Sequence, residues 1–378
     1  MKRETFFPSK GHYMNVFRAL LAIFIVAVFF ALGQGIPSTP GWFQIPNTAL
    51  QSVCPPNNFD NSGYDFYDFC PSVVGAWNSG ALDTNRNRLI VWGGGHTDYY
   101  GNEMYAVNLN TSTIERITDP TVPIASSCTE GLENDTVPNS RHTYDGIAYM
   151  ANVDRLFVFG GSLSPCGFFS DGTWTFDMAS LTWQKMNPSG DIPHKVSGIV
   201  TAYDPNTGNV YLHDDQYLYS YSFAANSFQR LSGSNSIDYH LSGTIDPVNK
   251  KFVMVGAGNV YVYDIKPKSS HKRKKLDTTG GSSIVNSEYP GLAFDPDLGK
   301  IVAWNGGDTV YVLDLESATW SPITFPGGPG ASPECGTYDR WSYSPASGVF
   351  VLVNSMNSNV YTLRLSESEE DGKRPATR

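Results

Sequence analysis

Six times along this chain an apolar strand runs into a turn and resumes as a second apolar strand. The copies read ALDTNRNRL at Asp83, AYMANVDRL at Met150, AYDPNTGNV at Asp204, TIDPVNKKF at Asp246, AFDPDLGKI at Asp295 and SYSPASGVF at Ser344. Asp-Pro presets the first turn residue and Gly or Asn accepts the left-handed position, so each copy reads as a hairpin. They fall 67, 54, 42, 49 and 49 residues apart. One supersecondary unit recurring at that interval predicts a ring of small sheets rather than a sandwich or an irregular β domain.

Between markers, each unit continues on the same plan. Leu89 to Ile117, LIVWGGGHTDYYGNEMYAVNLNTSTIERI, runs an apolar strand into three glycines, a polar aromatic loop, an alternating strand, a turn at Asn110 and a last strand. Arg155 to Met186 and Lys300 to Ile323 repeat this order. A period near two, with turn residues between runs, argues for strands. A strand ending in Gly-Gly, then a loop, an aromatic, a turn and a Trp resembles the kelch repeat. That repeat is the blade unit of one class of β-propellers, including the central domain of galactose-oxidase-like proteins. The expected fold is therefore all-β, a six-bladed kelch-like β-propeller. Composition agrees, since 36 Gly and 24 Pro with only 16% charged residues describe a turn-rich chain without long helices.

The sixth unit stops after 359–365 without a fourth strand, whereas Gly41 to Pro46 (GWFQIP) is similar to the outer strands TWQKM and TWSPI. This N-terminal strand is expected to complete the last blade, because an open edge would otherwise remain. Seven blades, with 37–70 contributing to an extra one, is the alternative.

Residues 1–33 read as a signal peptide or signal anchor: Lys2, Arg3, Lys10 and Arg18 precede the apolar run Ala19 to Leu32, and small residues stand at Ala31 and Gly33. The propeller is expected over 34–365, followed by a charged disordered tail, 366–378. Either form of leader places the propeller outside the cytoplasm, secreted to the extracellular space or periplasm, or held at the membrane by an uncleaved N-terminal segment. Five cysteines in an exported chain suggest disulfides: Cys54 with Cys70 and Cys128 with Cys166 are expected, Cys335 is left over, and other pairings stay open. Asn110 and Asn134 lie in glycosylation sequons. Without the leader, 22 basic residues face 35 acidic ones, a net charge of −13 that excludes general nucleic-acid binding. The single basic cluster, Lys266 to Lys275, reads as a solvated surface loop, and a monomer is expected.

In such a ring, the loops between second and third strands and those leading into each innermost strand share one face. That face receives the long insertions, where binding usually resides. It gathers His96, Asp98, Tyr99, Tyr100 and Asn102 from the first unit and Arg141, His142 and Tyr144 from the second. The third adds His194, Lys195, His213, Asp214 and Asp215, the fourth Tyr239 and His240, the fifth Glu288 and Tyr289, and the sixth Asp339, Arg340 and Trp341. Five of the seven histidines fall there, concentrating the side chain that titrates near neutrality.

The expected partner is a glycan, and the expected chemistry is that of a polysaccharide lyase acting on uronates by β-elimination. Arg141 or Arg340 would neutralise the carboxylate, His96 or His142 would remove the adjacent proton, and Tyr144 or Tyr239 would protonate the leaving oxygen, with His240 a further catalytic candidate. Asp98, Tyr99, Tyr100, Asn102, Lys195, Tyr289 and Trp341 would bind substrate. No metal or cofactor is required. His213 with Asp214 and Asp215 is a minority candidate for a metal site, because the neighbouring blade positions are Gly-rich and offer no fixed ligand spacing. Tyr239-His240 resembles the adjacent Tyr-His copper ligands of galactose-oxidase-like radical enzymes, but no cysteine lies in an inner strand to form the Cys–Tyr cross-link that resemblance implies. A non-catalytic glycan- or protein-binding propeller is the alternative, with Arg141 and Arg340 tying adjacent blades as structural ion pairs.

Overall fold

The computed structural model describes residues 35–367, and there each sequence unit forms one small antiparallel sheet with its strands in chain order from the axis outward, blade three adding the short parallel edge strand Ser189–Gly190 outside its fourth strand. Blade one comprises Gly80–Asp83, Arg88–Val91, Tyr105–Asn108 and Thr113–Arg116. Blade two comprises Ile147–Met150, Arg155–Phe159, Thr173–Asp177 and Thr182–Met186, and blade three Val200–Asp204, Asn209–His213, Leu218–Ser222 and Ser227–Arg230. Blade four runs through Ser242–Asp246, Lys251–Gly256, Asn259–Asp264 and Arg273–Lys275, and blade five through Gly291–Asp295, Lys300–Trp304, Thr309–Asp314 and Thr319–Thr324. Trp341–Ser344, Val349–Leu352 and Tyr361–Arg364 form blade six. Each innermost strand touches those of both neighbours, and blade six touches blade one, so the ring is a closed six-bladed β-propeller.

Burial explains the sequence pattern of each blade. Arg88–Val91 is buried throughout because blades cover both its faces, which is why it reads as a continuous apolar run. The outer strand Thr113–Arg116 alternates exposed and half-buried residues. The core is divided among the blade interfaces: Trp92 and Ile90 meet Trp174 and Phe176 between blades one and two, and Trp304 meets Trp341 and Phe350 between five and six. The turn aspartates cap their own hairpins; Asp246 Oδ1 accepts the N–H groups of Val248 and Asn249 at 3.0 and 2.9 Å, and Asp295 does the same for Asp297 and Leu298.

The N-terminal strand closes the ring as expected. Gly41–Gln44 pairs antiparallel with Tyr361–Arg364, placing Trp42 opposite Leu363. Seven blades are overturned: after this strand, 47–75 folds into short helical turns instead of a sheet, held by the Cys54–Cys70 disulfide and packed where blade six meets blade one. The second disulfide joins Cys128 to Cys166, and Cys335 is free, as expected. The basic cluster is not only a loop. Arg273–Lys275 is the outer strand of blade four, because Arg273 stacks over Tyr261 and donates to the carbonyl of Asn235.

Two disulfides agree with a chain that folds in an oxidising compartment. Among the described residues, no helix is long and apolar enough to cross a membrane. The expected leader, 1–33, and the tail from 368 onward lie outside the described residues.

Candidate functional site

Three glycines in blade one bring its loop against blade two. A Cβ on Gly95 would stand 2.1 Å from the main chain of Arg141 and His142, and the Gly94 N–H donates to the Arg141 carbonyl at 2.9 Å. Only residues without side chains permit that approach. The loop then turns back on itself, Gly95 N–H donating to Tyr99 O at 2.7 Å, with His96 held at a φ of +51°. The turn delivers Asp98 to His142, which blade two presents on the short pair Arg141–His142 with Ser162–Leu163.

His142 Nε2 lies 2.7 Å from Asp98 Oδ2. The hydrogen bond from His142 holds the Asp98 carboxyl below its usual range, so Asp98 remains an anion. With Nε2–H donated to it, the neutral imidazole keeps Nδ1 as an acceptor. His96 stacks on the His142 ring at 5.5 Å, Trp77 packs at 5.3 Å, and Tyr144 stands edge-on at 6.2 Å. Burial pushes the Tyr144 phenol up to about 12, so it is a proton donor at neutral pH.

These groups form one wall of a cavity of about 840 Å³ on the loop-rich face. Tyr239, His240, Glu288 and Tyr289 of blades four and five form the facing wall, and Phe169 and Glu334 also border it. His240 Nδ1 contacts Asp238, its Nε2 is 3.6 Å from Glu288, and its ring is 5.1 Å from Tyr289. The floor is aromatic: Trp77, Tyr144 and Tyr289 line it, and the fully buried Tyr338 packs beneath them, 5.1 Å from Tyr289. All three tyrosines hold left-handed backbone, with φ of +47°, +50° and +50°. Bulky residues occupy that region rarely, and such strain gathers at functional sites. Backbone bonds between blades hold it, Tyr144 N–H to Trp77 O and Tyr289 N–H to His240 O.

Seven expected site residues therefore converge on one cavity: His96, Asp98, His142, Tyr144, Tyr239, His240 and Tyr289. The others lie elsewhere. Arg141 is buried beneath the loop, where it donates to Glu130 Oε1 at 2.9 Å and to the carbonyls of Asn139 and Gly160. Burial works to raise the Glu130 carboxyl, but Arg141, Ser170 and Trp174 outweigh it and hold Glu130 low. Arg340 is also fully buried and donates to the carbonyls of Asn78, Val353 and Gly336, tying blade six to blade one. Both guanidiniums are structural clamps, and neither borders the cavity.

Tyr99 is buried against Glu103, and Asn102 braces Thr121 and the Pro138 carbonyl. Trp341 lies in the core, stacked on Phe350 at 4.7 Å. Tyr100 stacks on Tyr64 at 5.3 Å outside the cavity, and Lys195 is exposed away from its lining. His213 is withdrawn between blades three and four, bonded to Tyr263 at 2.8 Å. His194 takes its place beside Asp214 and Asp215, the three offering ligand atoms within 4.8 Å of one another.

Trp77, Phe169, Glu334, Tyr338 and Cys335 were not anticipated as site residues. Trp77 and Tyr338 each lead into an innermost strand at the position that Tyr144 and Tyr289 hold in their own blades, so aligning those positions would have shown them.

No protein-family model matches the chain. No curated protein matches it. Among solved structures, the chain is similar to a structural genomics protein of unknown function from Bacteroides thetaiotaomicron, with 11% identity and a TM-score of 0.49 over 76% of this chain and 69% of that one.

Proposed function

We propose that the loop-rich mouth binds a carbohydrate and carries an acid–base centre built from His142, Asp98 and Tyr144. The supporting observation is the His142–Asp98 contact of 2.7 Å on the wall of an aromatic-lined cavity. Trp77, Phe169, Tyr239 and Tyr289 offer flat apolar faces for sugar rings, while carboxylates and imidazoles offer hydrogen bonds. His142 Nδ1 can take a proton and Tyr144 can give one, the two roles a general acid–base reaction needs.

Elimination on a uronate is the catalytic form of this reading, and the His142–Tyr144 pair favours it. Its expected charge stabiliser is absent from the cavity lining, which holds Asp98, Glu288 and Glu334 but neither Lys nor Arg. Glycan binding without uronate turnover therefore fits the electrostatics better. The test pairs a glycan array with an assay for unsaturated uronate on the full chain and on His142→Ala. Binding lost in the variant supports the proposal, and new unsaturated product that depends on His142 adds catalysis. No glycan bound by the folded wild type, at any pH from 5 to 8, would defeat it.

A further inference from the structure

The ring leaves an axial channel of about 270 Å³ on the hairpin face, bordered by Thr84, Pro205 and Tyr343 and reaching inward to Gly243 and Asp339. The aromatic floor of Tyr144, Tyr289 and Tyr338 closes the axis from the other side. Two carboxylates sit at this waist. Asp145 is fully buried and reaches from blade two past blade three, its Oδ2 accepting the Gly243 N–H of blade four at 2.8 Å. Its Oδ1 is equally buried and has no hydrogen-bond partner among the described residues.

Asp339 approaches from the start of blade six and borders the same channel as Gly243, the residue that Asp145 holds. Its bonds among the described residues run through its backbone, to Ser79 Oγ and from Ser342 Oγ. No counter-charge faces the pair, because the adjacent Arg340 directs its guanidinium at three carbonyls instead. Two further buried oxygens lack partners: Ser242 Oγ, next to Gly243 in the chain, and the hydroxyl of Tyr338, next to Asp339. Buried charges in proteins are paired or coordinate metals, and orphaned buried oxygens in a polar site mark a place for an ion or water.

The geometry points to a hard divalent cation, calcium before magnesium, held on the propeller axis between Asp145 Oδ1 and Asp339 and reached through the hairpin-face channel. The donors are all oxygen, which selects hard cations, and two carboxylates balance the charge. Calcium accepts an irregular shell completed by water from the channel, whereas magnesium demands a near-octahedral one. Bound there, the ion ties blades two and six beneath the floor of the carbohydrate cavity.

The full chain is stripped with EDTA, dialysed, and followed by elemental analysis, calorimetric titration with calcium or magnesium chloride, and thermal melting. About one calcium per chain is expected, with Tm higher by roughly 3–5 °C at saturation and a weaker response to magnesium. Asp339→Asn, on the channel wall, and Asp145→Asn each lose this calcium; should Asp145→Asn not fold, Asp339→Asn carries the test. His194→Ala, which breaks the other cluster, keeps it. Calcium binding that survives Asp339→Asn, or that disappears with His194→Ala, overturns the assignment. So does a wild type indifferent to calcium and EDTA whose melting temperature rises only as pH falls, since the carboxylates then share a proton.

Discussion

Asp98 Oδ2 accepts a hydrogen bond from His142 Nε2 across the joint between blades one and two, so the catalytic candidate and its orienting carboxylate come from different sheets. The contact depends on the packing of Gly95 against the Arg141 main chain. Asp98→Asn is expected to weaken ligand binding or turnover roughly 10- to 100-fold, because the amide can donate to Nε2 and favour the wrong tautomer. The fold is retained, as the Asp98 side chain is 40% exposed. Equal activity in Asp98→Asn and wild type would remove the pair from the mechanism.

Arg141 and Arg340 separate structure from chemistry. Arg141→Met and Arg340→Met strand buried carbonyls, and Arg141→Met also leaves the half-buried Glu130 without its cation. Each is expected to lose about 3–5 kcal/mol of stability. Glycan affinity of the folded fraction should stay within twofold of wild type. A selective loss of affinity at normal Tm would return a guanidinium to the site.

His213 makes stability depend on pH. Burial, acting before any other influence, pushes its pKa down to about 4, and its Nε2 accepts from Tyr263 while Nδ1–H donates to the Asp214 carbonyl. The unfolded chain binds this proton near 6.5 and the folded chain only near 4. The neutral ring's contribution is thus complete above 6.5 and lost as pH falls toward 4, about 3 kcal/mol in all. Urea melts of wild type and His213→Gln across this window check it. Parallel acid profiles would show that His213 is not responsible.

Trp42 bears on closure. It packs against Trp304 and Trp341 at 6.4 and 5.8 Å and donates Nε1–H to the Asp308 carbonyl. Trp42→Ala is expected to cost about 2–4 kcal/mol and to free the edge of blade six, read as a lower Tm and faster exchange of the amides in Tyr361–Arg364. Unchanged exchange there would mean that blade six holds without its fourth strand.

The Cys128–Cys166 disulfide steadies the wall of the cavity. Gly167, next to Cys166, lies so close to His96 that a Cβ would stand 2.1 Å from Nε2. Cys128→Ser with Cys166→Ser should lower stability by about 3–4 kcal/mol, as expected for a loop of this span, and weaken glycan binding severalfold. Cys54→Ser with Cys70→Ser should affect stability alone, because that loop packs between blades six and one. Equal loss of binding from both pairs would deny the first any special place at the mouth.

Blade number, strand order, closure by Gly41–Gln44 and both disulfides were legible in the sequence. Hairpin markers and two-residue alternation are local signals, set by turn chemistry and by which face of a strand is covered. The same patterns put His96, His142, Tyr144, Tyr239, His240 and Tyr289 at one end of the ring, where they border one cavity. They did not tell an arginine facing a cavity from one facing carbonyls: Arg141 and His142 are neighbours in a strand, and the pleat sends one inward to Glu130 and the other to Asp98. That choice, the aromatic floor of Trp77, Tyr144, Tyr289 and Tyr338, and the meeting of Asp145 with Gly243 were decided only when six blades met around an axis. Contacts between distant blades depend on the radius and twist of the closed ring, which no single repeat encodes.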